Sequence, residues 1–272
     1  MKARAFTLIE LLVAISIMVI LAALLLSYLS RVKQKGQGVY CLNNLKQIQY
    51  AWHLYSADHG ERLPPVDDTE KAGKDAKHPS WVTGWLRLDG DPGDKTESTN
   101  SDLLVGSAYA QFGSIGRYVN QAGSYRCPGD RSTVRIGGVS FSRVRSVSIN
   151  AYLGGAGKWQ APGFQVFKTT GQIQRPADIW VFMDEREDSI NDGAFGVDMT
   201  KHYAIVDYPA SYHNGANGIS FADGHAEIHH WRESTTMPSL QREHLPYDSK
   251  PTSDHDVDMS WLTLHTTVSK SN

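Results

Sequence analysis

The sequence predicts an α+β fold: a long N-terminal transmembrane and stem α-helix packed on an antiparallel β-sheet with long loops. Three observations predict it. From Leu11 to Leu26 every residue is apolar except Ser16. With Leu8, Ile9 and Leu29 this zone is long enough to cross a bilayer, which takes about 20 helical residues. From Val39 the pattern turns amphipathic, with Cys41, Leu45, Ile48, Trp52 and Tyr55 on one helical face. Beyond Asp58 come short apolar or alternating runs divided by Gly, Pro and Asp clusters, the pattern of strands and loops.

The chain has 272 residues, with 27 Lys and Arg against 29 Asp and Glu, a formal net charge of −2. That length holds one medium or two small domains. The balance of apolar and charged residues is that of a chain with a packed core. No Lys/Arg-rich block occurs, which argues against a nucleic-acid binder. There are two cysteines, Cys41 and Cys127. They suit one disulfide in an exported domain, or two buried thiols.

The N-terminal segment admits three readings. Lys2 and Arg4 would serve a cleaved secretory signal, but the apolar zone is too long and no small-x-small site follows it. A plain membrane anchor has no use for Glu10, the one charge inside the zone. A carboxylate there costs roughly 2.5–3.5 kcal/mol on insertion scales and is usually paired and functional. The third reading comes from a family. The run Lys2-Ala3-Arg4-Ala5-Phe6-Thr7-Leu8-Ile9-Glu10-Leu11-Leu12-Val13 resembles the class III signal of type IV prepilins and type II secretion pseudopilins. The resemblance implies that a prepilin peptidase cuts between Ala5 and Phe6 on the cytoplasmic side and methylates the new N-terminus. Ala5 departs from the Gly usual before the cut. Arg31, Lys33 and Lys35 follow the span, so the positive-inside rule alone is nearly a tie. The leader motif outranks it and places Lys2 and Arg4 in the cytoplasm.

One helix is expected from about Phe6 to Ala57, roughly 75 Å at 1.5 Å per residue. Gly36 and Gly38 should interrupt it with a bend or local unwinding, and Gly60 with Pro64-Pro65 should stop it. The stretch Tyr40-Cys41-Leu42-Asn43-Asn44-Leu45-Lys46-Gln47-Ile48, then Tyr55, Asp58 and Leu63-Pro64-Pro65, is similar to one branch of the superfamily: large pilin-like proteins with a C-terminal H-x9-DG processing-associated element. Here that element is His213 to Gly224, with His213, Asp223 and Gly224 its defining residues. The division implied is a leader over 1–5, a transmembrane and stem helix over 6–57, and a periplasmic or extracellular β-rich domain over 58–272.

Within that domain, 58–100 reads as surface loops and Leu103 to Tyr118 as holding a short helix. Tyr125 to Asp130 reads as a tight turn, Phe141 to Tyr152 as a strand, and Ile179 to Met183 as a strand covered on both faces. Asp223-Gly224 is a two-residue type I′ hairpin signal. In that register Phe221 faces Ala226 and Ile219 faces Ile228. An edge strand is expected near Met259 to Leu264.

No HExxH, Cys-His zinc spacing, EF-hand loop, G-x-S-x-G elbow, P-loop or dinucleotide fingerprint occurs. No catalytic residue is assigned, and a non-enzymatic role is expected. His213 and Asp223 should hydrogen-bond loop backbone and fix the hairpin. The acids Asp184, Glu185, Asp188 and Asp192 are calcium candidates, because some secretion pseudopilins bind calcium in a C-terminal loop. The resemblance further implies a filament of like subunits and other pilins or pseudopilins, assembled by an ATPase and a platform membrane protein from a single-pass bacterial inner-membrane precursor. Glu10 would set the register there by meeting the Phe6 amine of a neighbour. The competing expectation is a membrane-anchored periplasmic binding or enzymatic domain that never polymerises.

Overall fold

Helix α1 (Leu8–Asp58) runs unbroken for 51 residues. The structure, a computed structural model, describes residues 7–88, 97–119, 121–201, 203–241 and 249–270, without the side chains of 27, 30, 31 and 156. Lys2, Arg4 and the Ala5–Phe6 cut lie outside the described residues. The first part of α1, Leu8–Leu26, is long and apolar enough to cross a membrane, and none of its 19 residues is buried. The later part carries the expected stripe: Cys41, Leu45, Ile48, Trp52 and Tyr55 are all buried. Gly36 and Gly38 do not interrupt the helix. A helical glycine costs only about 1 kcal/mol relative to alanine, too little to break a long helix held by packing just beyond it.

The stripe lies on a five-stranded sheet. In chain order the strands of the molecule are β1 (Val66–Asp67), β2 (Thr133–Ile136), β3 (Val139–Ser142), β4 (Val147–Asn150), β5 (Gly155–Ala156), β6 (Trp180–Asp184), β7 (Ala194–Phe195), β8 (Ala204–Ile205), β9 (Ala216–Phe221), β10 (Ala226–His230) and β11 (Lys250–Pro251). The sheet order is β10-β9-β6-β4-β7. All its pairs are antiparallel except β4 with β7. The sheet is therefore mixed, not purely antiparallel: after β6 the chain turns back across β4 and lays β7 along its free edge. Smaller pairs, β1 with β5, β2 with β3 and β8 with β11, lie among the loops. The expected short helix after Leu103 is α2 (Asp102–Val105), followed by two 3₁₀ turns.

Three further expectations fail. The single strand expected over Phe141 to Tyr152 is instead the end of β3 and the separate strand β4. The hairpin between β9 and β10 is one residue out of the predicted register, pairing Ser220 with Ala226 and Ile219 with Glu227. The loop holds three residues, Ala222, Asp223 and Gly224, because Gly224 takes a left-handed φ of +96°. The Phe221 amide closes it onto the His225 carbonyl at 2.9 Å. A type I turn with a left-handed glycine favours this length. The expected edge strand at Met259 to Leu264 is instead helix α3 (Val257–Thr266). Asp256 caps it, accepting from the amides of Asp258 and Met259. Met259, Leu262 and Thr266 make the buried face.

The sheet thus lies between two helices. On the α1 side Leu45, Ile48 and Trp52 pack with Ile149 and Phe182. On the other side Met259 and Leu262 pack with Trp180, Ile219 and Phe221. β9 is buried along its whole length, so its polar positions are satisfied internally. Ser220 donates to the Gln49 amide oxygen at 2.9 Å. At Gly218 a Cβ would come within 2.6 Å of Leu45 and 2.7 Å of the Cys41 sulfur. Only glycine lets the helix approach the strand this closely.

Candidate functional site

Two places gather the residues singled out in the sequence. The first is the start of α1. Thr7 is the N-cap, and it forms a capping box with Glu10. The Glu10 oxygen Oε2 accepts from the Thr7 amide at 2.9 Å and from its hydroxyl at 2.8 Å. The Thr7 hydroxyl accepts in turn from the Glu10 amide. Both bonds fall on one oxygen, and Oε1 has no bond among the described residues. The large apolar residues that follow face outward, with Leu8 78 %, Met18 60 % and Leu26 69 % exposed.

The second place is where α1 meets the head. Cys41, Cys127, Asp184 and His213 are all buried, and their ligand-type atoms lie within 4.8 Å of one another. Each comes from a different segment: the α1 stripe, the turn after the 3₁₀ turn Ala122–Tyr125, the end of β6, and the loop before β9. Sequence scanning could not find this group, because no two ligands share a short motif. Its one signal was that the only two cysteines fell where a turn could pack over the helix.

Both cysteines are free thiols. The expected choice between a disulfide and two buried thiols stands here as thiols brought close without a bond. The Cys41 thiol donates to Asp184 Oδ2 at 2.8 Å. The Cys127 sulfur lies 3.2 Å from His213 Nε2 and accepts the Gly129 amide at 3.3 Å. Ser146 links two members, donating to Asp184 Oδ1 at 2.9 Å and accepting the Cys127 amide at 2.8 Å. The Asn217 side chain donates to the Asp184 carbonyl. Among the described residues no Lys or Arg pairs with any of the four.

Electrostatics follow from that. Burial pushes the Asp184 carboxyl up to about 6. Cys41 is held well above the usual thiol range, first by its contact with Cys127 and then by burial. Contact with Cys41 lowers the Cys127 thiol, but burial and the Asp184 charge leave it raised. Burial lowers His213. Every member is biased to its neutral form, as expected of buried ligand-type groups with no Lys or Arg beside them among the described residues.

The other predicted site residues disperse. His213 and Asp223 stand at opposite ends of β9. Asp223 sits in the hairpin turn, where its Oδ1 accepts the His225 amide at 3.0 Å and lies 2.6 Å from His225 Nδ1. The His213 backbone amide donates to Ala216, but its imidazole turns to the thiol cluster instead of a loop carbonyl. Among the described residues the calcium candidates do not gather into one ligand group, and Asp184 belongs to the thiol cluster instead. Glu185 accepts from Ser148 and Ser189, Asp188 clamps Arg186 with both oxygens, and Asp192 accepts the Ala194 amide.

Residues 1–26 match the prokaryotic N-terminal methylation motif. A prepilin-type methylation signal thus overlies the apolar start of α1, consistent with the broad pilin and pseudopilin superfamily. No curated protein and no solved structure matches the chain.

Proposed function

We propose that this chain is a structural subunit of a type IV pilus-like or type II secretion pseudopilus filament. The precursor sits in the inner membrane with Lys2 and Arg4 in the cytoplasm. Prepilin peptidase cuts between Ala5 and Phe6 and methylates Phe6, and the assembly ATPase and platform protein draw the subunit into a helical polymer. The observation that carries this is the stem itself. Within the methylation motif lies a 19-residue apolar helix that none of the described residues covers, and Glu10 is its one charge. In a membrane the lipid tails cover it, and in a filament the stems of neighbouring copies do.

Glu10 has a part in both states. In the single subunit its Oε2 completes the capping box with Thr7, which satisfies orphan amides at the helix start. Oε1 remains for a cationic partner. Packed among stems in a low-dielectric core, it meets the Phe6 amine of the next copy. A slip in axial register would leave that carboxylate buried without a partner, at a cost of several kcal/mol.

The test is intact mass with N-terminal sequencing of protein recovered from a native envelope fraction. A mature chain beginning at N-methylated Phe6 is expected. A chain still beginning at Met1, or one cut after the apolar run, would overturn the filament proposal and favour an anchored or secreted domain.

A further inference from the structure

We propose that Cys41, Cys127, Asp184 and His213 bind one zinc ion, which fastens the stem helix to the head. The inference is independent of filament assembly.

The donor set comes first. Two sulfurs, one imidazole nitrogen and one carboxylate oxygen make four ligands of the kinds zinc takes in closed tetrahedral sites. Zinc bonds of about 2.0–2.3 Å set ligand atoms roughly 3.3–3.8 Å apart on a tetrahedron. The observed spread, up to 4.8 Å with contacts of 2.8 and 3.2 Å, brackets that range. Movements of under about 1 Å would seat the ion. Soft sulfur ligands argue against calcium and magnesium. All four side chains are buried, which suits a structural ion with no open coordination position.

The surroundings are already arranged for it. The Gly129 amide points at the Cys127 sulfur, a donor that favours thiolate over thiol. Ser146 holds the second oxygen of Asp184, which leaves Oδ2 for the ion. Such outer hydrogen bonds orient ligands and tune affinity. Two glycines keep the space clear. A Cβ at Gly218 would lie 2.7 Å from the Cys41 sulfur, and one at Gly129 would lie 3.4 Å from both the Cys127 sulfur and the His213 ring. A cleft lined by Gly38, Leu42, His213 and Ile228 opens beside the imidazole and offers an entry path.

Binding releases the two thiol protons and supplies the positive charge that the site lacks. It also joins segments that span residues 41 to 213, so the ion would hold α1, the Cys127 turn, β6 and the loop before β9 in one arrangement. In an oxidising compartment, two thiols this close otherwise tend toward a disulfide. Metal and disulfide are therefore mutually exclusive outcomes.

The experiment uses the full-length chain in detergent, purified under reducing conditions without chelator. Metal content is read by mass spectrometry after incubation with zinc chloride and dialysis. About one zinc per chain is expected, with both thiols protected from alkylation until the metal is stripped. Cobalt(II) in its place should give sulfur-to-cobalt charge-transfer absorption and the ligand-field bands of a tetrahedral site. His213→Ala and Cys127→Ser should each lower zinc at least about tenfold. Should either variant fail to fold, the wild-type metal content and cobalt spectrum still decide. Less than about a tenth of a zinc per chain with no cobalt–thiolate bands overturns the proposal. So does a different metal in the protein as isolated, or a Cys41–Cys127 disulfide in protein taken from the envelope without reductant.

Discussion

The two halves of α1 share one backbone and differ in what covers them. From Leu8 to Leu26 the helix is apolar all round and uncovered by the described residues. From Cys41 to Tyr55 it has one apolar stripe, and that stripe is buried. A helix apolar on every side needs a surrounding apolar phase, whereas a striped one needs only a single partner face. The head supplies that face, with Gly218 and Ser220 drawn close beneath the stripe. Among the described residues nothing covers the first half. The stability of the head and the fate of the stem are therefore separable properties, and substitutions should show it.

The sharpest separation is expected at Glu10. Glu10→Ala should abolish filament assembly, scored by shearing and electron microscopy, while membrane insertion and thermal unfolding of the head stay unchanged. The variant loses one side of the capping box, worth about 1 kcal/mol at an exposed helix start, and no contact with the head. Normal filaments from Glu10→Ala would break the comparison. The converse is Leu45→Ala. Leu45 is fully buried against β9, and truncating such a leucine costs about 2–5 kcal/mol. Thermal unfolding should fall by several degrees, at about 2–4 °C per kcal/mol for a domain of this size. Insertion into membranes should not change.

The same contrast explains what could be read from the sequence. The uncovered half was legible because its requirement is met by composition alone. The stripe was legible because four-three spacing has one geometric meaning. Less legible were features set by contacts between distant segments. The hairpin was visible in Asp223-Gly224, but its register depended on whether Gly224 closed a two- or three-residue loop. Helix α3 stands where an edge strand is expected, because its cap at Asp256 and its buried face of Met259, Leu262 and Thr266 take effect only against the packed sheet. The cluster of Cys41, Cys127, Asp184 and His213 was invisible for a different reason: its four members meet only after α1, β6 and β9 have packed.

A pH series sharpens the contrast from the head's side. Asp207 is buried, and burial pushes its carboxyl up to about 7. In the unfolded chain an aspartate titrates near 3.9. Between these values the folded state holds a proton that the unfolded chain has released. Its contribution to stability therefore falls as pH rises from about 4 through about 7. The displacement caps the effect at about 4 kcal/mol. Metal-free protein should melt higher at pH 5 than at pH 8. Asp207→Asn should reduce that difference without abolishing it, because an amide oxygen can still accept the Gly196 amide while burial also raises the carboxyls of Asp184, Glu185 and Asp192. A wild-type melting point that rises between these pH values would contradict the assignment.

The smallest effect belongs to the junction between the halves. Gly36 is helical, and a Cβ placed there meets nothing within 4 Å. Alanine fits that conformation without strain and restricts the unfolded chain more than glycine does. Gly36→Ala should therefore stabilise the helix by about 0.5–1 kcal/mol. Far-UV circular dichroism should show equal or greater helicity, and the melting point of the head should be unchanged or slightly higher. Gly38 is the internal control. A Cβ there would touch Ile228 at an ordinary 3.6 Å, so Gly38→Ala adds a contact to the head as well as helix propensity. If Gly36→Ala instead lowers helicity or stability, α1 bends at this junction, and the two halves are joined by a hinge instead of one continuous rod.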